Sequence, residues 1–197
     1  MNDIEIEILS KEIKKDLAMS LYKLHFKSLP NDVLPNFGMD LEYRYFKSLL
    51  VNKGKLVIAK NNCNKILGFI ALRSNYQNFI SILDIKSISV FLLNSICKPS
   101  LLIKLIKQLS NKTKQLKLSA EIDYFAVDEN FRSKGIGGLL ILKAEEISEI
   151  DGLCYLCTKT SNDRLFRYYQ KIKSAEIIKE FEILDKKYRY LFWKIKK

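Results

Sequence analysis

The sequence is poor in arginine. Of its 34 basic side chains 28 are lysine, which leaves 6 arginines, against 22 acidic residues. Nucleic-acid interfaces favour the planar, bidentate guanidinium, so the net charge of +12 is not read as a nucleic-acid footprint. Lysine, isoleucine and asparagine together supply 65 of 197 residues, and all three have A/T-rich codons. Most of the surplus charge is therefore compositional drift on a solvated surface, leaving a mild attraction for anionic small molecules. A single histidine, His25, far upstream of the chemistry-bearing motifs, leaves no material for a histidine-based nucleophilic triad. Three prolines and seven glycines exclude a collagenous or linker-like chain. The longest uncharged stretch in the middle of the chain, Ser87 to Cys97, has 11 residues. A membrane-spanning helix needs about 20, so no span is expected. The opening MNDIEIEILSKEIKK has no apolar signal-peptide core, and the expected location is cytoplasmic.

What is present is ordinary globular composition, 48% hydrophobic and 28% charged over 197 residues. That length fits one domain, residues 1–197. The cysteines are Cys63, Cys97, Cys154 and Cys157. The Cys154–Cys157 spacing raises a zinc knuckle or redox pair. However, Leu153–Lys159 reads as a strand, where residues three apart point to opposite faces. Reduced thiols and no metal site are expected.

Along the chain, residues 3–9 alternate as a half-buried strand. Ser10 is a candidate N-cap for a helix carrying Ile13, Leu17, Leu21 and Leu24, which Pro30 ends. Residues 30–38 read as a loop, and Met39 to Leu50 as a helix with Leu41, Tyr45 and Leu49 on one side. Lys55–Lys60 and Lys65–Arg73 form a hairpin across NNCN. An apolar insertion, about 75–113, precedes a strand over Gln115–Val127. It reads either as enlarged core or as a contact surface for a second subunit or the acceptor cleft. Then follow a helix from Gly135 to Ile150 (apolar set Leu139, Leu142, Ile147, Ile150), a strand Leu153–Lys159, a helix Asn162–Ile172 and strands Glu176–Leu184 and Tyr188–Lys196, joined by Asp185-Lys186-Lys187. This order predicts a single α/β (α+β) domain with a mixed central sheet flanked by helices.

Three of the seven glycines fall within four positions, Gly135, Gly137 and Gly138, after a strand and at the start of a helix. Unpaired amides and the helix dipole make such a turn an anion site, and glycine lets a phosphate approach the backbone. The spacing fits neither the dinucleotide fingerprint nor the P-loop. The run Arg132-Ser133-Lys134-Gly135-Ile136-Gly137 resembles the R/Q-x-x-G-x-G/A signature of the GNAT superfamily of acyl-CoA-dependent N-acetyltransferases. The preceding AEIDYFAV resembles that family's fourth strand, and Ile66-Leu-Gly-Phe-Ile70 its third. Asn162 to Lys171 resembles its N…Y-x-K segment, with Tyr169 seven residues after Asn162. One departure stands out: the usual Gly-Phe after Y-x-K-x is replaced by Lys173-Ser174.

The resemblance implies acetyl transfer from acetyl-CoA to a primary amine by direct attack. It places the pyrophosphate on the amides of Arg132, Ser133, Lys134, Gly135, Ile136, Gly137 and Gly138, with Arg132 and Lys134 adding charge. It places the pantetheine arm along Phe125, Ala126 and Val127, with Asn162 as a further contact. Glu121 holds the position of the family's catalytic glutamate, with Asp123 two residues on as the alternative base. The two share a strand face unless a bulge intervenes. Tyr169 holds the position of the phenol that serves the departing thiolate, while its neighbour Tyr168 reads as core. His25-Phe-Lys-Ser-Leu-Pro30 with Phe37-Gly38 resembles members tied to surface-sugar biosynthesis. That makes a small-molecule acceptor, an amino sugar or nucleotide-linked amino sugar, the leading expectation. A peptide or protein amine, or a non-catalytic CoA-binding module, remains open.

Overall fold

A computed structural model describes residues 4–30, 32–74, 103, 116–183 and 186–195. Most of the apolar insertion, and with it both readings of that segment, lies outside the described residues. The described strands form a seven-stranded sheet in the order β1-β2-β3-β4-β5-β7-β6. The strands are β1 (Ile4–Leu9), β2 (Lys55–Asn61), β3 (Ile66–Ser74), β4 (Ser119–Val127), β5 (Tyr155–Thr160), β6 (Glu176–Ile183) and β7 (Lys186–Lys194). Only β4 and β5 pair in parallel; the other neighbours are antiparallel. The expected mixed sheet flanked by helices is thus the fold observed.

Helices α1 (Lys15–Ser28), α2 (Val33–Asn36) and α3 (Met39–Val51) share one core with the sheet. Leu21, Tyr45 and Leu49 are wholly buried there. Helices α4 (Ile136–Ile150) and α5 (Asp163–Lys173) serve the other core. Along β2 residues alternate between the two cores: Leu56 and Ile58 face α1 and α3, while Val57 and Ala59 face α4.

Several local expectations are corrected. Ser10 caps nothing, since α1 begins at Lys15 behind Lys14, without a side-chain cap. The segment 30–38 contains the one-turn α2. β4 starts at Ser119, because Leu118 holds a left-handed φ of 55° that no strand continues through. Lys186 already pairs with Ile183 in the last hairpin. In α4 the buried set is Ile136, Leu140, Ile141, Ala144 and Ile147, whereas Leu139, Leu142 and Ile150 are exposed. That helix is apolar on most sides, so its periodicity does not single out the buried face. Lys173, at the position of the family's glycine, stays helical; the left-handed turn (φ 53°) comes one residue later, at Ser174, and Ala175 is buried behind it.

Candidate active site

β4 carries one residue more than β3 can pair. Ala71 lies opposite Tyr124 and Leu72 opposite Ile122, so Asp123 forms a β-bulge. The bulge inverts the alternation. Ala120 and Ile122 lie in the core under α4, but so do Phe125 and Val127, while Tyr124 and Ala126 join the α1–α3 core. It also ends the contact with β5. Parallel pairing runs from Ser119–Tyr155 to Ile122–Thr158 and stops. Beyond that point β4 bonds only to β3 and β5 only to β7. Residues 123–127 therefore offer backbone N–H and C=O groups to an open wedge on the β5 side.

The wedge is part of a cleft of about 850 Å³. At one end lies the glycine turn. Gly135 is left-handed (φ 82°) and caps α4. The first intrahelical bond beyond it is Leu139 N to Gly135 O, 3.0 Å, so the amides of Ile136, Gly137 and Gly138 lie ahead of the helical ladder. A Cβ on Gly137 would come within 3.1 Å of the Phe125 ring, and one on Gly138 within 3.8 Å of the Tyr168 hydroxyl. Ser133 is also left-handed and receives a 3.0 Å hydrogen bond from Arg164 of α5. Arg132 donates from Nε to the Val127 carbonyl at 3.2 Å, which ties the turn to the end of β4. That contact directs its side chain back to β4 rather than only outward to a bound anion. Lys134 lies over the Phe131 ring, 4.9 Å from its centroid.

Two groups from either side of the sheet line the same cleft. From α5, Tyr169 is wholly buried and stacks on Trp193 at 5.1 Å. Trp193 is held by its Nε1 to Glu145 (2.7 Å), which also pairs with Lys173. Burial pushes the Tyr169 phenol well above its ordinary value, and Tyr168 adds to the rise. Thr158, the last β5 residue paired with β4, offsets part of that rise but does not complete a hydrogen bond to the hydroxyl. Tyr168, expected in the core, is only half-buried and lines the cleft. Asn162 caps α5, its Oδ1 accepting from Leu165 N at 3.0 Å.

From the other core come the carboxylates. Arg73, at the end of β3, lies opposite Glu121. Its Nη2 donates to Glu121 (2.9 Å), and Nε and Nη2 both reach Asp123 (2.8 and 2.9 Å). Lys159 pairs with the second Glu121 oxygen at 2.9 Å, and Tyr45 donates to Asp123 at 2.8 Å. Burial opposes the Arg73 charge, but Asp123 and Glu121 outweigh it and hold the guanidinium firmly protonated. Glu121 and Asp123 thus do share a face, and the bulge keeps Tyr124 on that face too. The sequence assigns Arg73, Lys159 and Tyr45 only to strands and a helix face, not to the site. Arg73 had one available signal, as a rare arginine among apolar strand residues.

Below them sits a second buried pair. His25 and Glu42 are both fully buried, with Nδ1 2.8 Å from Oε1. The imidazole packs edge-on to Phe69 and against Tyr124 at 4.7 Å. Burial lowers the His25 pKa, but Asp32 and Glu42 more than reverse this and raise it to about 9.

Residues 106–173, which span β4, the glycine turn, α4, β5 and α5, match the sequence profile described as the Acetyltransferase (GNAT) family. No curated protein matches the sequence. Among solved structures, the fold is similar to the IAA acetyltransferase from Bacillus cereus ATCC 14579 at 17% identity, covering 98% of this chain and 99% of that one, TM-score 0.54. It is similar to Ard1 from Thermoplasma volcanium at 16% identity, with 98% and 99% coverage, TM-score 0.60. It also resembles the ribosomal-protein-S18-alanine N-acetyltransferase from Escherichia coli at 11% identity, covering 98% and 96%, TM-score 0.61. The profile match covers about a third of the chain, the part that carries β4, the glycine turn and α5, and the solved structures share the fold of the whole.

The raised His25 pKa has a consequence for stability. An unfolded histidine titrates near 6.5, so the contribution of the His25–Glu42 pair is fully present below about pH 6.5 and is lost as pH rises through about 9. The expected loss is on the order of 3 kcal/mol. Urea melts of the wild type and of His25→Gln between pH 6 and pH 10 should converge as the pH rises. Parallel curves would contradict the charged pair.

Proposed function

We propose that the protein transfers an acetyl group from acetyl-CoA to a primary amine of a small molecule, an amino sugar or nucleotide-linked amino sugar, in a ternary complex. The observation that carries this reading is the wedge between β4 and β5. It has unpaired strand backbone along one side, a glycine-lined helix start at one end, and a phenol and a carboxylate pair at its apex. The residues fit the co-substrate. The pantetheine arm adds to the backbone of Phe125, Ala126 and Val127 as an extra strand, with Asn162 Nδ2 beside it. The pyrophosphate takes the amides between Arg132 and Gly138, with Lys134 adding charge, where any side chain at Gly137 would intrude.

When bound, acetyl-CoA supplies the thioester carbonyl that the amine attacks and the thiolate that leaves. Every other task falls to this chain. An alkylammonium, with a pKa of about 10.4, is protonated at neutral pH and must lose a proton first. Glu121 and Asp123 are the carboxylates at the apex. Both oxygens of Glu121 already accept from cations, so it receives the proton through a water rather than by direct contact. Arg73 fixes both carboxylates, which removes any reorganisation from the step. On the opposite face Tyr169 stays protonated and donates to the sulfur as negative charge develops there. The stacked Phe181 and Tyr188 rings, 5.7 Å apart and 9° from parallel, line the acceptor side of the cleft. They offer a flat face to the C–H side of a sugar ring.

Gly137→Glu should weaken acetyl-CoA binding more than tenfold by calorimetry while far-UV circular dichroism is unchanged. Affinity equal to wild type would remove the glycine turn from the site. With the best acceptor found by a free-thiol release screen, Tyr169→Phe should lower kcat ten- to a hundredfold and leave the acetyl-CoA KM within about threefold. Glu121→Gln should depress the limb of the pH profile on which the amine loses its proton. Full turnover in both variants would refute the acid–base assignment.

A further inference from the structure

We propose that Asp32 binds the ammonium of the acceptor, and that His25 and Glu42 are positioning residues that hold Asp32 for that purpose. This rests on the amine-acetylation reading above and names the group that selects the amine.

A histidine and a glutamate, both wholly removed from water and far from the glycine turn, are costly core residues. Apolar side chains would fill the same space, so packing alone does not account for them. The direction of the pair does. Glu42 takes Nδ1, which leaves Nε2 pointing at Asp32, whose Oδ2 is 3.7 Å away. Nε2 is buried and completes no hydrogen bond of its own. Asp32, by contrast, reaches the cleft, with 24% of its side chain exposed. Charge therefore runs from a buried carboxylate, through an imidazolium, to a carboxylate at the cleft wall.

The backbone around Asp32 is equally fixed. Leu29 N donates to the His25 carbonyl (2.8 Å) and Asp32 N to the Leu29 carbonyl (2.9 Å). Asn36 Nδ2 donates to the carbonyls of Pro30 (2.7 Å) and Asp32 (2.6 Å). The surroundings match a cation on a compact apolar body. Leu34, Phe37 and Leu41 line the adjoining wall. The Tyr124 phenol, pushed upward by burial and then by Asp32, Asp123 and Glu42, stays protonated and lines the same cleft as Asp32 and the Glu121–Asp123 pair. Of the three carboxylates that line the cleft, Glu121 and Asp123 are matched by Arg73 and Lys159, whereas Asp32 faces the buried His25.

The test uses four primary amines as probes: glucosamine, putrescine, benzylamine and glycinamide. Free-thiol release is measured for the wild type and for Asp32→Asn, which keeps the side-chain shape. For the best amine, Asp32→Asn should raise the amine KM at least tenfold, with kcat changed less and the acetyl-CoA KM unchanged. Because His25 is the only histidine, its ring nitrogens give unambiguous NMR signals. Both should be protonated at pH 7.5, and Nε2 should shift on addition of the amine in wild type but not in Asp32→Asn. A purely structural histidine would not respond to the acceptor. Thiol release with an unchanged amine KM in Asp32→Asn overturns this inference and leaves the transferase reading standing. A His25 shift with an amine that releases no thiol supports Asp32 and contradicts the transferase reading. Neither thiol release nor a shift with any of the four amines overturns both.

Discussion

Between Ala71 and Leu72 of β3, β4 spends three residues, Ile122, Asp123 and Tyr124, where two would suffice. That surplus residue bends β4 away from β5 and turns a continuous sheet into one with a slot. Everything the site does depends on the slot. It exposes strand backbone inside the molecule, where backbone groups are otherwise paired. It also lets a side chain from the α5 side and side chains from the α1–α3 side approach the same point. A regular β4 would keep Tyr169 and Glu121 on opposite faces of a closed sheet.

Electrostatics then decides which groups at that point can do what. Two carboxylates, a guanidinium and an ammonium form a nearly balanced cluster, with Arg73 bridging Glu121 and Asp123 and Lys159 on the far oxygen of Glu121. Pairing offsets part of the cost of burying these charges. They also stay in place when a substrate arrives. The phenol of Tyr169 has the opposite character: an apolar pocket and a stacked indole keep it neutral and available as a donor. Carboxylates held by ion pairs and a phenol held by burial line one opening.

The parts of this arrangement that depend on local chemistry were readable in the sequence. The glycine turn requires left-handed backbone and close approach, which restricts residue type, and Gly135 does carry that conformation. Strand alternation and the helical spacing of Leu41, Tyr45 and Leu49 likewise predict what is buried. Other features depend on partners distant in sequence. Arg73 and Asp123 are 50 residues apart, and His25 and Glu42 17 apart; no periodicity announces either pair. Apolar spacing does not single out the α4 face, because the exposed Leu139 and Leu142 are as apolar as the residues buried. At Lys173, where the glycine is expected, the chain stays helical, and the left-handed turn falls on Ser174 instead.

The slot between β4 and β5 is the central claim, and backbone amide hydrogen exchange tests it directly. With acetyl-CoA added, amides within residues 123–127 that point away from β3 should become protected by at least tenfold, together with those of Ile136 to Gly138. Amides of 119–122, already paired with β5, should change little. Protection elsewhere, with exchange at 123–127 unaltered, would contradict the account.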